Sequence, residues 1–196
     1  MYGLINKAVR ELIVVEFGSE TWDRVRERAQ VGEEDFVSMK QYDDAVTYSL
    51  VTAASDELGI PAETVLETFG SYWVKYVGAD NYGHMMDAAG KTLPEFLMNL
   101  DQMHSRVMLT FPDLKPPSFQ VTDQVGNRLR LHYYSARKGL APLVVGLLNG
   151  LAEKFDTPIQ VEQDREGSGA DEHDVFDILM LEESAPSGPD SASSDG

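Results

Sequence analysis

The chain has 196 residues, 33 acidic against 16 basic side chains, a net charge of −17 and no cysteine. Its length points to one domain, and 42% hydrophobic residues are enough to fill a core. Acidity on this scale repels phosphate backbones and anionic lipid, which argues against nucleic acid and membranes as partners, and the missing thiols exclude disulfides, thiolate metal sites and a Cys-ligated prosthetic group.

Residues 2–17 place Leu4, Ile5, Ala8, Val9, Leu12, Ile13 and Val15 mostly on one side of a predicted helix, which Gly18 stops. Acidic residues interrupt that pattern and no cleavage signature follows it, so it does not read as a signal peptide. No run of eighteen apolar residues exists to span a bilayer, and a cytoplasmic location is expected. Ser19 caps a second helix through about Gln30, and residues 33–42 read as a loop with a short apolar piece at 36–39. A third helix runs from about Asp43 to Leu58 and ends at Gly59. A fourth starts at Pro61, with Val65, Phe69 and Trp73 four apart, and residues 81–90 form a helical or looped link.

The next helix is the one that carries chemistry. Thr92 can cap it, Glu95 sits at the capping-box position, and Pro94 is tolerated in the first turn. Phe96, Leu100, His104 and Met108 follow at steps of four, so an imidazole takes the third place on an apolar face. Pro112 ends the helix after Phe111. A single imidazole in an apolar cleft fits the axial ligand of a haem. The alternative is a core histidine satisfied by a neighbouring group.

Beyond Pro117 the pattern alternates. Residues 118–122 and 128–134 read as paired strands with a Gly-containing turn at 123–127. Extending the second strand to Arg137 puts Tyr133, Ser135 and Arg137 on one face. Two hydroxyls and a guanidinium fork suit a pair of carboxylates, and haem carries two propionates. An exposed strand face can produce the same triplet by chance. Residues 141–155 form an apolar helix with Pro142 in its first turn. Gly146 and Gly150 share one face, which implies close approach of something flat or of another backbone, or tight packing on a sheet. Residues 158–164 and 175–181 read as a hairpin joined by an acidic loop at 165–174. The tail at 184–196 has a disordered composition. Helices first, then strands with one helix, give an α+β fold with an antiparallel sheet.

Other candidates are thin. His84 lies in a polar link, His132 has the opposite strand parity to Tyr133, and His173 falls in the acidic loop. No two histidines stand at a local metal-ligand spacing, so a two-histidine metal site is not expected. Asp43-Asp44 reads as a solvated face. No dinucleotide fingerprint, P-loop or nucleophile elbow is present.

His104 and Tyr133-x-Ser135-x-Arg137, in this order and about thirty residues apart, resemble the H-NOX family of haem nitric oxide/oxygen-binding domains. The resemblance begins at Met1-Tyr-Gly-Leu-Ile-Asn6. It includes Tyr42-Asp-Asp44, Thr47-Tyr48, Ala53-Ala-Ser55, Phe69-Gly70, Asn99-Leu-Asp101 and Pro116-Pro-Ser-Phe119, and it covers about 180 residues. It is similar to stand-alone bacterial members and to the haem domain of the soluble guanylate cyclase β subunit. It implies a domain over 1–183, with a helical part at about 1–60, a haem-proximal and sheet part at about 61–183, non-covalent haem b between them, and a tail at 184–196.

By the same resemblance His104 is the axial iron ligand, Tyr133, Ser135 and Arg137 hold the propionates, and Pro117, thirteen residues past His104, presses on the haem. Ile5, Trp73, Leu143 and Leu147 form the distal pocket. Oxygen-binding members carry a distal tyrosine, and the matching position here is Leu143, or Pro142 if the alignment shifts by one. The implied function is a sensor without enzymatic activity. It would bind nitric oxide and carbon monoxide at ferrous haem, exclude oxygen, and signal to a separate effector, by analogy a histidine kinase or a cyclic-di-GMP enzyme. The rival readings are a haem enzyme that consumes peroxide or nitric oxide, and an oxygen-binding sensor.

Overall fold

Glycines and short polar side chains set the helix ends in the N-terminal half. The structure, a computed structural model, describes residues 1–32, 36–79 and 83–181. The expected tail, residues 33–35 of the expected loop and residues 81–82 of the expected link lie outside the described residues. Helix α1 (Gly3–Phe17) stops at Gly18, and α2 (Ser19–Arg28) follows at once. Helix α3 (Asp44–Leu58) is capped by the Asp43 carboxylate, which accepts from the Ala45 N–H at 2.9 Å. It ends at Gly59, whose φ of 66° is the left-handed conformation that glycine adopts without a Cβ penalty. Helix α4 (Ala62–Ala79) and the short α5 (Gly83–Asp87) complete this half.

One apolar cluster joins α1, α2, α3 and the first half of α4 through residues such as Val9, Val25, Leu50 and Phe69. A second cluster begins at Val74 of the same helix and includes Phe96, Leu131, Leu148 and Phe176. Helix α4 therefore belongs to both cores. Among the described residues no helix is long and apolar enough to cross a membrane.

The helix expected from Thr92 to Phe111 is two helices, α6 (Leu93–Met98) and α7 (Leu100–Thr110), with a break at Asn99. Thr92 caps α6 by accepting from the Glu95 N–H, and the Glu95 carboxylate reaches back to the Lys91 N–H at 3.0 Å. At the break the Asn99 side-chain amide donates to the Ala89 carbonyl at 2.8 Å, tying this turn to the chain ten residues earlier. Backbone bonds from Asn99 to Glu95 and from Met103 to Asn99 continue across it, so the chain kinks without stopping.

Four strands follow: β1 (Ser118–Val125), β2 (Arg128–Tyr134), β3 (Ile159–Glu166) and β4 (His173–Met180). They form one antiparallel sheet in the order β1-β2-β4-β3. The first turn is tighter than expected, two residues at Gly126-Asn127, because Gly126 supplies a φ of 59°. Leu129, Leu131 and Tyr133 of β2 point into the core, and Arg130 and His132 lie on the other face. His173, expected in a loop, is the first residue of β4.

Helix α8 (Ala141–Lys154) lies between α4 and the sheet. Its Val144, Leu148 and Leu151 pack in the cluster that contains Leu129, Leu131, Phe176 and Ile178. Its glycines face α4, so the close approach they imply is to another helix backbone. A Cβ built on Gly146 would stand 2.0 Å from the Glu67 carbonyl oxygen, and one on Gly70 would stand 2.4 Å from that of Leu143. The Ser71 hydroxyl donates to the Gly146 carbonyl at 2.9 Å across this contact. The same contact fixes Trp73 on α4 relative to Leu143 and Leu147 on α8.

Candidate functional site

Between the two cores lies a cavity of about 560 Å³ lined by α1, α3, α4, α7, α8 and the inner face of the sheet. That volume falls among pockets that take a whole organic ligand. The lining is mainly Leu, Val, Ile, Phe and Met, with a polar margin at Asp44, Tyr48, Ser135 and Arg137.

Helix α7 brings Leu100, Met103, His104 and Val107 to this cavity, and Phe111 follows. The expected stripe ran through Met108, but Met108 is not among the lining residues; Met103 and Val107 flank the histidine instead. Steps of three and four alternate along an α-helical face, so a pure step of four drifts off it. Asp101, one turn before His104, ties α7 to the sheet. Its two carboxylate oxygens accept from the Phe119 N–H and the Ser118 hydroxyl, each at 2.7 Å. The Phe119 ring then lies 5.9 Å from His104 and 5.2 Å from Tyr133.

Burial pushes the His104 pKa below the ordinary imidazole value; the Asp101 carboxylate and the Pro117 carbonyl pull the other way. Among the described residues no acceptor meets its buried Nδ1 with hydrogen-bonding geometry. The alternative, a core histidine satisfied by a neighbour, rests on the Pro117 carbonyl, which pulls on the imidazole without a well-aligned bond to Nδ1. A neutral imidazole on an apolar cavity wall fits a haem iron.

Tyr133, Ser135 and Arg137 all line the cavity. They do not share a strand face as expected, because β2 ends at Tyr134. The Ser135 hydroxyl accepts from the Arg137 N–H at 3.0 Å, and this turn replaces the next rungs of the ladder. Burial raises the Tyr133 pKa, although its contact with Ser135 lowers it, so the phenol is a neutral donor. The Arg137 fork already has partners. Its Nε donates to Asp44 at 2.7 Å, one terminal nitrogen makes a longer contact to the same carboxylate at 3.4 Å, and the other donates to the Lys115 carbonyl at 2.9 Å. A guanidinium has five donors, so two remain for a bound carboxylate.

Asp44 also receives the amino terminus of Met1 at 2.5 Å. Burial alone would raise its pKa, but bonds to Arg137 and the amino terminus hold it below the usual carboxylate range. Asp44 is thus a buttress of the site, where the sequence suggested a solvated face. Its signal was faint: a cap-plus-acid pair that opens a helix looks the same whether or not an arginine waits ninety-three residues later. Asp101 was visible only as an acid one helical turn from the histidine.

Pro116 and Pro117 line the cavity, as do Ile5, Trp73, Leu143 and Leu147. The four last-named come from α1, α4 and α8. They carry no carboxylate, imidazole or hydroxyl.

A family model described as haem-NO-binding matches residues 2–163. The chain belongs to this family, whose members are the H-NOX domains. Soluble guanylate cyclase gcy-31 of Caenorhabditis elegans is 30% identical over 163 residues, 83% of this chain and 23% of that protein. The beta-2 subunit of soluble guanylate cyclase of Rattus norvegicus is 34% identical over 124 residues, 60% of this chain and 18% of its own length. This H-NOX chain thus spans less than a third of the cyclases it resembles. Among solved structures, an H-NOX protein from S. oneidensis in the Fe(II)NO ligation state has a TM-score of 0.82 at 24% identity, covering 93% of this chain and 100% of that one. The Fe(II) unliganded H-NOX protein from K. algicida gives 0.79 at 22% identity, covering 93% and 97%. The α+β architecture with its four-stranded antiparallel sheet is the H-NOX fold.

Proposed function

We propose that residues 1–183 form a cytoplasmic haem-based gas sensor that binds nitric oxide and carbon monoxide at ferrous haem b, discriminates against oxygen, and reports binding to an effector protein. One observation carries this reading: half-buried His104, whose buried Nδ1 has no well-aligned partner among the described residues, lines an apolar cavity that also holds Tyr133, Ser135 and Arg137. Non-covalent haem, when bound, supplies the iron that takes up the gas. The residues supply its placement. His104 would hold the iron through a neutral ring nitrogen. Tyr133, Ser135 and the two remaining Arg137 donors would take the propionates, with Asp44 holding the guanidinium in position. Pro117 gives the cavity a rigid edge that cannot rotate away.

Ile5, Trp73, Leu143 and Leu147 provide the distal surface. A wall without hydroxyls favours ligands that need no hydrogen bond, as carbon monoxide does, over oxygen, which gains from a hydroxyl donor. An enzyme that consumes peroxide would want an acid/base pair on this wall, and these four side chains offer none. A specific observation favours one second reading. Trp73 lines the cavity and its indole N–H is the one donor among these four side chains, so an oxygen-binding sensor is the alternative.

The test is an absorption spectrum of the reduced protein under argon, then with nitric oxide, carbon monoxide and air. Distinct, stable spectra with the first two gases and none that persists in air are expected. A persistent complex in air would replace the first reading with the second. A protein that takes up no haem would overturn both.

A further inference from the structure

The outer face of the sheet carries a cluster that the cavity does not use. It consists of His132 on β2, His173 on β4 and Glu166 on β3, with one ligand atom from each lying within 4.8 Å of the others. Register brings them together. Glu166 pairs directly with His173, and His132 pairs with Val175, two residues further along β4. Direct and diagonal neighbours on one face are within side-chain reach. The two histidines are forty-one residues apart in sequence, which is why no local spacing announced them.

The ring nitrogens are arranged for coordination. His132 Nδ1 and His173 Nε2 stand 2.9 Å apart. His173 Nδ1 lies 2.8 Å from the Asp171 carbonyl, which can only accept, so this nitrogen carries the proton. The Nε2 of a neutral His173 therefore turns a lone pair toward the cluster. His132 Nε2 lies 2.9 Å from the Thr122 hydroxyl, which can donate or accept. Without an ion, His132 donates from Nδ1 to His173. In its other tautomer it donates from Nε2 to Thr122, and its Nδ1 lone pair joins that of His173. Outer partners that fix the tautomer are the usual second support of metal-bound imidazoles. The Tyr134 ring stacks on His173 at 4.2 Å between centroids and restrains it from that side.

We propose that His132, His173 and Glu166 form a binding site for a divalent transition-metal ion, zinc above all. Imidazole nitrogen suits zinc, copper and nickel, whereas calcium and magnesium take oxygen ligands. Two imidazoles and one carboxylate leave a fourth position of a tetrahedral zinc site for water. Glu166 must turn from Arg130, now 3.1 Å away. That exchange leaves Arg130 paired, because Asp177 holds it at 2.9 and 3.0 Å. The net charge of −17 favours any cation. An ion here clips β2, β3 and β4 together beside Tyr133, which faces the cavity on the other side of the sheet.

The experiment is calorimetric titration of the full chain, without an affinity tag, with zinc chloride. One zinc per chain is expected, undisturbed by excess magnesium. His132→Ala and His173→Ala should each abolish that binding, and Thr122→Val should weaken it by about tenfold through loss of the outer partner. Nitrogen NMR of the unmodified chain needs no variant to fold. Zinc should shift His132 Nδ1 and His173 Nε2 and leave His104 unmoved. No zinc uptake, uptake that survives both histidine substitutions, or shifts confined to other residues would each overturn the proposal.

Discussion

The polar margin and the apolar wall of the cavity are built on opposite principles. At the margin, Tyr133, Ser135, Arg137 and Asp44 form a connected set in which each group is held by another or by backbone. On the wall, Ile5, Trp73, Leu143 and Leu147 carry one polar hydrogen between them, the Trp73 indole N–H. The margin can fix a ligand's orientation. The wall can set only what fits and what finds no donor. His104 belongs to neither style, since its ring is polar and half-buried and its buried Nδ1 has no well-aligned partner among the described residues. Such a group costs stability unless something binds it.

The strongest way to break this contrast is to remove that group. His104→Ala leaves the polar margin intact, so retention by the margin alone would become visible. The variant is expected to lose most haem, measured as haem absorbance per chain, and added imidazole should restore part of it. Unchanged haem content with an unchanged ferrous spectrum would sink the assignment.

Within the margin, charge should outrank hydroxyl. A bond to an ionised propionate is worth about 1.5–3 kcal/mol, and the Arg137 fork adds its own charge and a second parallel donor that the Ser135 hydroxyl lacks. Arg137→Ala should therefore speed haem transfer to an acceptor protein more than Ser135→Ala does. It also strips Asp44 of its main partner, which enlarges the difference. The reverse ranking would mean that Arg137 serves Asp44 and not the ligand.

The wall is tested by giving it a hydroxyl donor. Leu143 sits in the first turn of α8 and lines the cavity. Leu143→Tyr should raise oxygen affinity by about 1–3 kcal/mol, roughly 5- to 150-fold, with carbon monoxide affinity little changed. Equal gains for both gases would point to altered shape and not to a hydrogen bond. If the unaltered protein already holds oxygen in air, Trp73→Phe decides whether the indole is the donor.

The margin and the wall also differed in how legible they were. Coordination and carboxylate binding demand particular residue types, so His104 and the Tyr133, Ser135, Arg137 triplet stood out in the sequence. The wall was reached only through resemblance, because any apolar residue satisfies a core period and Leu143 looks like its neighbours. Helix ends were readable where a glycine or cap is chemically required, as at Gly18, Asp43 and Gly59. The break at Asn99 was not, because it depends on a side-chain bond to the Ala89 carbonyl ten residues earlier. The Arg137–Asp44 pair and the His132–His173 pair were hidden for the same reason. Each joins segments far apart in the chain, and only the packed fold sets them face to face.

The smallest expected effect concerns the energy of keeping His104 neutral. Burial sets its pKa in the haem-free fold below the ordinary value of about 6.5, and the pulls from Asp101 and the Pro117 carbonyl only partly offset this. As pH falls through about 6.5, the unfolded chain takes up the proton first and the folded chain only at lower pH. Between those two values the unfolded state binds more protons, so stability is lost as pH falls and regained as it rises. The loss cannot exceed about 1.4 kcal/mol per pH unit for one group. His104→Phe removes the titrating group and keeps an aromatic side chain there. Urea unfolding of the haem-free chain at about pH 7.5 and about pH 5.5 should show a larger loss for the unaltered chain than for this variant. Equal losses would mean that burial does not hold the imidazole neutral, and the contrast between an unsatisfied ligand and a self-satisfied margin would fail.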